Sequence, residues 1–135
     1  MPGASLRVWK QFFSKAQIFG GDIDENTLFQ EERIKTFIVD QFDSKSINAM
    51  WGKIKQKDFD LIIDDGCHQF EGTIKFFLNS IKFLSPNGFY IIEDVFYKDK
   101  KRFLNFFEKK NFNYFFVELS SKKKVKDNNL FIIKK

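Results

Sequence analysis

The sequence predicts an α/β fold, with a doubly wound, mostly parallel sheet that has an antiparallel pair of strands at its C-terminal end. Short β-rich runs alternate with segments of helical periodicity along most of the 135 residues. Two runs, FDLIID (59–64) and FYIIED (89–94), are apolar on both faces, which is typical of central parallel strands. The linker between the last two β-rich runs is too short for a crossover helix, so these two strands should be antiparallel.

The first half of the chain is predicted to contain two helices and two strands. In chain order these are a helix over 4–15, a strand over 16–24, a β-rich run over 34–43 and a helix over 44–54. Ser44 or Ser46 is available as the N-cap of the second helix, because a serine hydroxyl can accept from the free N–H groups of a first turn.

The second half is predicted as a strand over 59–64, a helix over 71–84, a turn over 85–88 (SPNG), a strand over 89–94, a basic helix over 98–110 and strands over 114–120 and 129–135. The helix over 71–84 has the clearest helical spacing, through Ile74, Phe77, Leu78, Ile81 and Leu84. The lysine-rich stretch 121–127 is the only low-complexity segment.

Length and composition indicate one globular domain over residues 1–135. Hydrophobic residues make up 43% of the chain and charged residues 30%, which is not the composition of a disordered protein. No apolar stretch approaches the roughly 20 residues of a membrane helix, and the N-terminus lacks the apolar core of a signal peptide. We therefore expect a cytoplasmic protein without a membrane partner. Cys67 is the only cysteine, which excludes an internal disulfide and a cysteine-based zinc site.

The formal net charge of +5 raises the question of a nucleic-acid partner. The basic residues are scattered except for SSKKKVKD near the C-terminus, so we do not expect one. A nucleic-acid-binding module stays as a third interpretation, and its mark would be a steep salt dependence of oligonucleotide binding.

Acidic residues stand at the end of four successive predicted strands. In doubly wound sheets ligands bind beyond the carboxyl ends of the strands, so this position points to a site rather than to solubility. The six acids are Asp22, Asp40, Asp64, Asp65, Glu93 and Asp94.

The pairs Asp65/His68 and Glu93/Asp94 are predicted to converge. They leave strands that should be neighbours, and neighbouring strand ends lie about 5 Å apart. Clustered carboxylates favour a hard cation such as Mg²⁺ or Ca²⁺, and a nearby imidazole could remove a proton from a metal-held hydroxyl. The other interpretations are a turn with backbone-bonded His68 and acids that cap the next segment.

These residues resemble a known family. The segments PGASLRVWKQFF, GGDID, RIKTFIVDQFD, DFDLIIDDGCHQF and NGFYIIEDV are similar to the class I S-adenosylmethionine-dependent methyltransferases, which have a Rossmann-like sheet. Within that class they are most similar to the macrocin and mycinamicin type of sugar O-methyltransferase. The resemblance implies an enzyme that uses S-adenosylmethionine and Mg²⁺ to methylate a sugar-like or other small hydroxyl substrate.

The resemblance also implies roles for individual residues. Asp22 would bind the ribose hydroxyls of the cofactor, and Asp40 with Gln41 would lie by the adenine. Asp64 would face the cofactor or support the loop that follows it. The remaining implied roles are cofactor contacts from Gly3 and Ser5, metal ligation by Asp65, Glu93 and Asp94, and general base catalysis by His68.

The start of the chain departs from the family pattern. The family places a strand with an acid and a glycine-rich loop just before the PGAS segment, whereas this sequence starts at Met1-Pro2-Gly3. The first strand, central in the family order 3-2-1-4-5-7-6, would then be missing, and Phe-rich faces would favour self-association. A second interpretation is therefore a non-catalytic remnant of the fold, or a subunit completed by a partner chain.

Overall fold

The computed structural model describes residues 2–119 and 128–135, and the lysine-rich stretch 121–127 lies outside them. The chain separates into two compact units, residues 1–55 and residues 56–135, each with its own sheet. We call them the N-terminal and the C-terminal unit. No helix in the part of the chain that the structure describes is long and apolar enough to cross a membrane.

The N-terminal unit has two helices and a three-stranded sheet. Its elements are α1 (Ala4–Phe12), β1 (Ile18–Asp22), β2 (Gln30–Glu31), β3 (Ile34–Ile38) and α2 (Ser44–Ile54). The strand order is β1-β3-β2, with β1 parallel and β2 antiparallel to β3. The buried apolar residues are Ile34, Val39, Ile47, Met50 and Trp51, so α2 supplies most of the core.

Two glycines in β1 allow close packing on both faces of that strand. A Cβ atom at Gly20 would lie 2.6 Å from Leu6 Cδ1 on α1. A Cβ atom at Gly21 would lie 2.7 Å from Val39 Cγ1 and 3.3 Å from Met50 Sδ on α2. Because successive residues of a strand point to opposite faces, the two glycines serve opposite sides of β1.

The C-terminal unit has two helices and a four-stranded mixed sheet. Its elements are β4 (Phe59–Asp64), α3 (Phe70–Ser80), β5 (Leu84–Ile92), α4 (Lys100–Lys109), β6 (Asn113–Glu118) and β7 (Asn129–Lys134). The strand order is β4-β5-β7-β6. β4 is parallel to β5, and both β5 and β6 are antiparallel to β7. The predicted α/β class and the antiparallel C-terminal pair are confirmed.

Aromatic side chains form the core of the C-terminal unit. The ring of Phe77 on α3 makes edge-to-face contacts with Tyr90 on β5 at 5.0 Å and with Phe107 on α4 at 5.4 Å between centroids. Phe131 on β7 lies within 5.4 Å of Phe103 and Phe107. These packed rings account for part of the high phenylalanine content, because each buried ring removes a large apolar area from water.

Several local predictions were wrong. The N-cap of α2 is Asp43, whose Oδ1 accepts from the N–H of Lys45, and the hydroxyl of Ser46 accepts from Asp40 N–H instead. The segment 85–88 is not a turn but part of β5. The register of β4 against β5 shifts across this segment, because Phe59 pairs with Leu84 whereas Leu61 pairs with Phe89.

The predicted helix 71–84 is also shorter than expected. α3 ends at Ser80, a 3₁₀ turn spans 81–83, and Leu84 is the first residue of β5. Leu78 is 48% exposed, whereas Phe76 is buried in its place. The predicted helix was too long because apolar residues at helical spacing continue through the 3₁₀ turn into the first residue of β5.

Candidate functional site

The ends of β4 and β5 are held side by side in the C-terminal unit. The N–H of Glu93, just after β5, donates to the carbonyl oxygen of Asp64, the last residue of β4, at 2.9 Å. Asp64 is only 4% exposed, and within β4 it lies on the same face as the buried Ile62. This ladder brings the two acidic loops that follow the strands to one edge of the sheet, as the sequence predicted.

Three side chains meet at that edge. Donor atoms of Asp65, His68 and Asp94 all lie within 4.8 Å of one another. His68 Nε2 is 3.5 Å from Asp65 Oδ1, and His68 Nδ1 is 3.8 Å from Asp94 Oδ2. The imidazole therefore stands between two carboxylates, about a quarter exposed, with an acid facing each of its nitrogens.

Glu93 lies beside this cluster rather than within the group of three. Burial raises the pKa of the Glu93 carboxyl, the negative charges of Asp65 and Asp94 raise it further, and His68 opposes them. Each carboxylate near this point disfavours ionisation of the next, because like charges repel more strongly where water is partly excluded.

Two residues of the cluster have unusual backbone conformations. His68 has φ 52° and Asp94 has φ 49°, both in the left-handed region. For most residues with a Cβ this region costs about 1–2 kcal/mol; Asp and His adopt it more readily than most, and neighbouring contacts can stabilise it. For Asp94 the contacts lie at the next residue: Val95 N–H donates to Asn129 O at 3.0 Å, and Asn129 Nδ2 donates to Val95 O at 2.8 Å.

A narrow cleft continues from the cluster between the starts of α3 and α4. It is lined by His68, Thr73, Ile92, Glu93, Asp94, Val95, Phe96, Asp99 and Phe103. Arg102 on α4 borders this region, because its guanidinium pairs with Asp99 and Glu71 and lies 4.1 Å from the centre of the Phe70 ring. Arg102 thus joins the segment after the His68 loop to the segment after the Asp94 loop.

The predicted cofactor residues Asp22 and Asp40 lie at the ends of neighbouring parallel strands in the N-terminal unit. Val39 N–H donates to Asp22 O at 2.8 Å, just before Asp40. Asp22 is exposed, and its Oδ1 accepts from Asp24 N–H at 2.9 Å. Asp40 Oδ1 accepts a hydrogen bond from Phe42 N–H at 2.8 Å. Gln41, between Asp40 and Phe42 in sequence, is half-buried.

Gly3 and Ser5 lie at the start of α1. Gly3 is the N-cap residue with φ 77°, and a Cβ there would come within 2.2 Å of the Phe29 ring. Ser5 is exposed in the first turn. Glycine is favoured at position 3 by its left-handed backbone conformation, and a Cβ there would also require the Phe29 ring to shift.

The donor set fits a hard divalent cation. The carboxylate oxygens at this edge, partly open to solvent, are ligands that Mg²⁺ accepts, and a cation would relieve the repulsion that, after burial, raises the Glu93 pKa. These acids were predicted from the sequence, whereas Asn129 and Arg102 were not. Neither carries a one-dimensional signal, because Asn129 acts on Val95, 34 residues away, and Arg102 joins Asp99 to Glu71, 31 residues away.

Curated relatives share sequence with 69–70% of this chain. The demethylmacrocin O-methyltransferase of Streptomyces fradiae is 37% identical over 93 residues, which are 69% of this chain and 23% of that protein. The 8-demethyl-8-α-L-rhamnosyl tetracenomycin-C 2′-O-methyltransferase of Streptomyces olivaceus is 33% identical over 93 residues, which are 24% of its length. The matched region spans about a quarter of the length of these relatives, and no family model matches the chain.

Solved structures share the fold. The MycE methyltransferase from the mycinamycin biosynthetic pathway, in complex with Mg, SAH and mycinamycin VI, superposes with a TM-score of 0.69 at 26% identity, over 98% of this chain and 40% of that one. A putative methyltransferase from Streptococcus mutans in complex with SAH has a TM-score of 0.67 at 16% identity, over 99% of this chain and 84% of that one, which shows the fold alone.

Proposed function

This chain is a relative of the S-adenosylmethionine-dependent sugar O-methyltransferases, and from that premise we propose that it serves methyl transfer to a hydroxyl of a sugar-like or other small acceptor. The observation that carries the proposal is the meeting of Asp65, His68 and Asp94 at the ends of two parallel strands. A solved relative with Mg and SAH bound supports S-adenosylmethionine and Mg²⁺ as cofactors.

His68 is proposed as the general base. Methyl transfer to an alcohol oxygen requires loss of the hydroxyl proton, and a neutral imidazole is the side chain that most often accepts such a proton in general base catalysis. The two carboxylates facing His68 at 3.5 and 3.8 Å would stabilise the imidazolium that results. An acid lies near each ring nitrogen, so a proton gained at either nitrogen would face a negative charge.

Asp65, Glu93 and Asp94 are the residues that would hold the cation. A bound Mg²⁺ would supply a positive charge that lowers the pKa of a hydroxyl next to it. The acids themselves contribute by presenting oxygen donors at one edge of the sheet, where the Glu93–Asp64 hydrogen bond fixes the loop spacing. Glu93, the acid with the raised pKa, would gain most from the added charge.

The cofactor is assigned by resemblance to residues at the strand ends and at the start of α1. Asp22 would accept hydrogen bonds from the ribose hydroxyls, while Asp40 and Gln41 would lie by the adenine. Asp22 Oδ2 is compatible with this role, because the hydrogen bond that Asp24 N–H donates to Asp22 uses Oδ1. Gly3 and Ser5, and Asp64 as support of its loop, complete the proposed set.

The metal assignment can be tested without an acceptor substrate. His68 is the only histidine, so its ring protons give isolated NMR signals, and paramagnetic Mn²⁺ should broaden them at low molar ratio. The double variant Asp65→Asn, Asp94→Asn should lose this broadening, whereas Asp43→Asn, which changes an acid at the start of α2, should retain it. Equal broadening in all three proteins would remove the metal site from the proposal.

The chemistry is tested by transfer of a labelled methyl group from S-adenosylmethionine to sugar-hydroxyl acceptors such as mycinamicin VI. Chelation of divalent ions should abolish transfer, and His68→Ala should lower turnover by about 10²–10⁴ with cofactor binding retained. Full activity in excess chelator would contradict the metal role, and full activity of His68→Ala would contradict the base.

A further inference from the structure

Asn129, the first residue of β7, makes a two-point contact with the loop that carries Asp94. Its side-chain Nδ2 donates to Val95 O at 2.8 Å, and its own backbone carbonyl accepts from Val95 N–H at 3.0 Å. Asn129 is 7% exposed and Val95 is 3% exposed, so both hydrogen bonds are shielded from water. The contact spans 34 residues of sequence.

This contact bears directly on the conformation of Asp94. Val95 follows Asp94, and fixing both polar groups of Val95 fixes the peptide planes on either side of that residue. Asp94 itself has φ 49°, a left-handed conformation that Asp tolerates better than most residues but that still costs free energy, so anchored neighbours help to hold it. On the other side, Glu93 N–H is bound to Asp64 O at 2.9 Å. Asp94 is thus held between two anchored neighbours.

We propose that Asn129 is a positioning residue for the metal site: it holds Asp94 in the left-handed conformation that turns its carboxylate toward His68 and Asp65. The inference rests on the proposed function, because it concerns the cation that these acids would bind. Asn129 does not touch the cation. It acts through the backbone of Val95, in the way that hydrogen-bonding partners outside a metal's ligands set ligand orientation.

The chemistry of the asparagine side chain is needed for this role. A buried carbonyl oxygen such as that of Val95 requires a donor, and an apolar residue of similar size at position 129 offers none. An aspartate there would place a second oxygen against the Val95 carbonyl. The loop could then relieve the conflict by relaxing Asp94 toward the ordinary α or β region, which moves its carboxylate away from the cluster.

The neighbouring Asn128 provides a matched control. Its Nδ2 also donates to a backbone carbonyl, that of Leu119 at 3.1 Å, and Leu119 N–H donates back to Asn128 O at 3.1 Å. The same side-chain chemistry therefore occurs one residue earlier, where it joins β6 to β7 and does not reach the acidic loops. A loss of general stability should be common to both positions, whereas a loss of metal affinity should not.

The experiment measures the Mn²⁺ dissociation constant by calorimetry and the thermal unfolding midpoint for the unchanged protein and for Asn129→Ala, Asn129→Asp and Asn128→Ala. We expect the Asn129 variants to bind Mn²⁺ about tenfold more weakly or worse, as for other residues that orient metal ligands. Asn128→Ala should bind within about twofold of the unchanged protein even if its unfolding midpoint falls by a similar amount, because it leaves the Asp94 loop intact.

Four outcomes would overturn the proposal. Unchanged affinity in the Asn129 variants would show that Asp94 is placed without Asn129. Affinity that falls in step with the unfolding midpoint in all variants, or Asn129 variants that do not fold at low temperature, would assign the residue to stability alone. No Mn²⁺ binding by the unchanged protein would instead remove the metal site of the proposed function, and the positioning role with it.

Discussion

Glu93 and Asp64 are joined by a hydrogen bond of 2.9 Å from the N–H of one to the carbonyl oxygen of the other. This bond extends the β4–β5 ladder beyond the last strand residue and carries two acidic loops forward together. Its consequence is electrostatic: the carboxylates after the two strands cannot separate without breaking the ladder. Repulsion among them is therefore built into the folded state, and it adds to burial, the larger cause, in raising the pKa of Glu93.

The first prediction concerns the pH dependence of stability. A carboxyl whose pKa is higher in the folded than in the unfolded state favours folding below its unfolded pKa, and this contribution is lost as the pH rises through the folded value. Without a cation, Glu93→Gln should therefore raise the free energy of unfolding at pH 7 and give little gain near pH 4. Because Glu93 is only partly buried, water still screens its charge, and we expect the free energy of unfolding to rise by about 1 kcal/mol or less.

The measurement is urea denaturation at the two pH values in chelated buffer. Glu32→Gln serves as the control, since the Glu32 side chain is 87% exposed and lies in the other unit. A gain from Glu93→Gln that is equal at pH 4 and pH 7 would contradict the electrostatic explanation.

The second prediction concerns the cofactor. Asp22→Asn preserves the oxygen that accepts from Asp24 N–H but removes the charge that would receive the ribose hydroxyls. Loss of a charged acceptor costs about 1–3 kcal/mol, so S-adenosylhomocysteine should bind roughly tenfold more weakly or worse. Calorimetry gives the comparison, with Asp24→Asn as a control that keeps the oxygen at the cap of the following 3₁₀ turn. Equal affinities for Asp22→Asn and the unchanged chain would place the ribose elsewhere.

The third prediction concerns Tyr90. Its hydroxyl is buried, and among the residues that the structure describes no group hydrogen-bonds to it; burial, reinforced by Asp64, raises the pKa of this phenol. A buried polar group without a partner costs about 1–3 kcal/mol, so Tyr90→Phe should stabilise the protein by roughly 1 kcal/mol.

Tyr114 supplies the contrast, because its hydroxyl donates to Glu108 Oε1 at 3.0 Å. Tyr114→Phe should give no gain. Denaturant unfolding of both variants measures the difference, and a destabilised Tyr90→Phe protein would mean that the Tyr90 hydroxyl has a partner.

The fourth prediction compares two glycines. A Cβ at Gly52, on the exposed side of α2, would meet no atom within 4 Å, so Gly52→Ala should stabilise by about 0.5–1 kcal/mol through helix propensity. A Cβ at Gly88 would lie 2.8 Å from the Phe59 carbonyl oxygen, which cannot move aside as a side chain can. Gly88→Ala should destabilise by about 1–3 kcal/mol. The thermal unfolding midpoints of the two variants test this comparison. Equal midpoints would contradict the close packing of Gly88 in β5.

The sequence was sufficient where the information is local. The helix 44–54 was predicted with its observed limits because its apolar residues recur at helical spacing, and the doubly apolar runs before Asp64 and Glu93 became parallel strands. The convergence of Asp65, His68 and Asp94 also followed from local facts, since the ends of parallel neighbours share an edge. The single-domain prediction and the separate roles of these residues remain predictions.

Tertiary contacts decided the rest. Segment 85–88 has strong turn composition, yet it continues β5, where Phe59 pairs with Leu84 and the N–H of Lys135 lies 3.4 Å from Gly88 O. Asn129 was invisible for the same reason, because its importance depends on a loop 34 residues away. The prediction of Ser44 or Ser46 instead of Asp43 as the N-cap of α2 was a local error, since Ser and Asp both cap helices well.

The paired glycines of β1 give the carboxylate at the end of that strand a mechanical property. At Gly20 and Gly21 only main chain separates the side chains of α1 from those of Val39 and α2. The strand is therefore closely packed on both of its faces. Asp22 follows directly, so a shift of its main chain across the sheet would require the side chains packed on both faces of β1 to move. A ligand that binds Asp22 would meet a carboxylate that is already fixed in place, and binding would cost little ordering entropy at that contact.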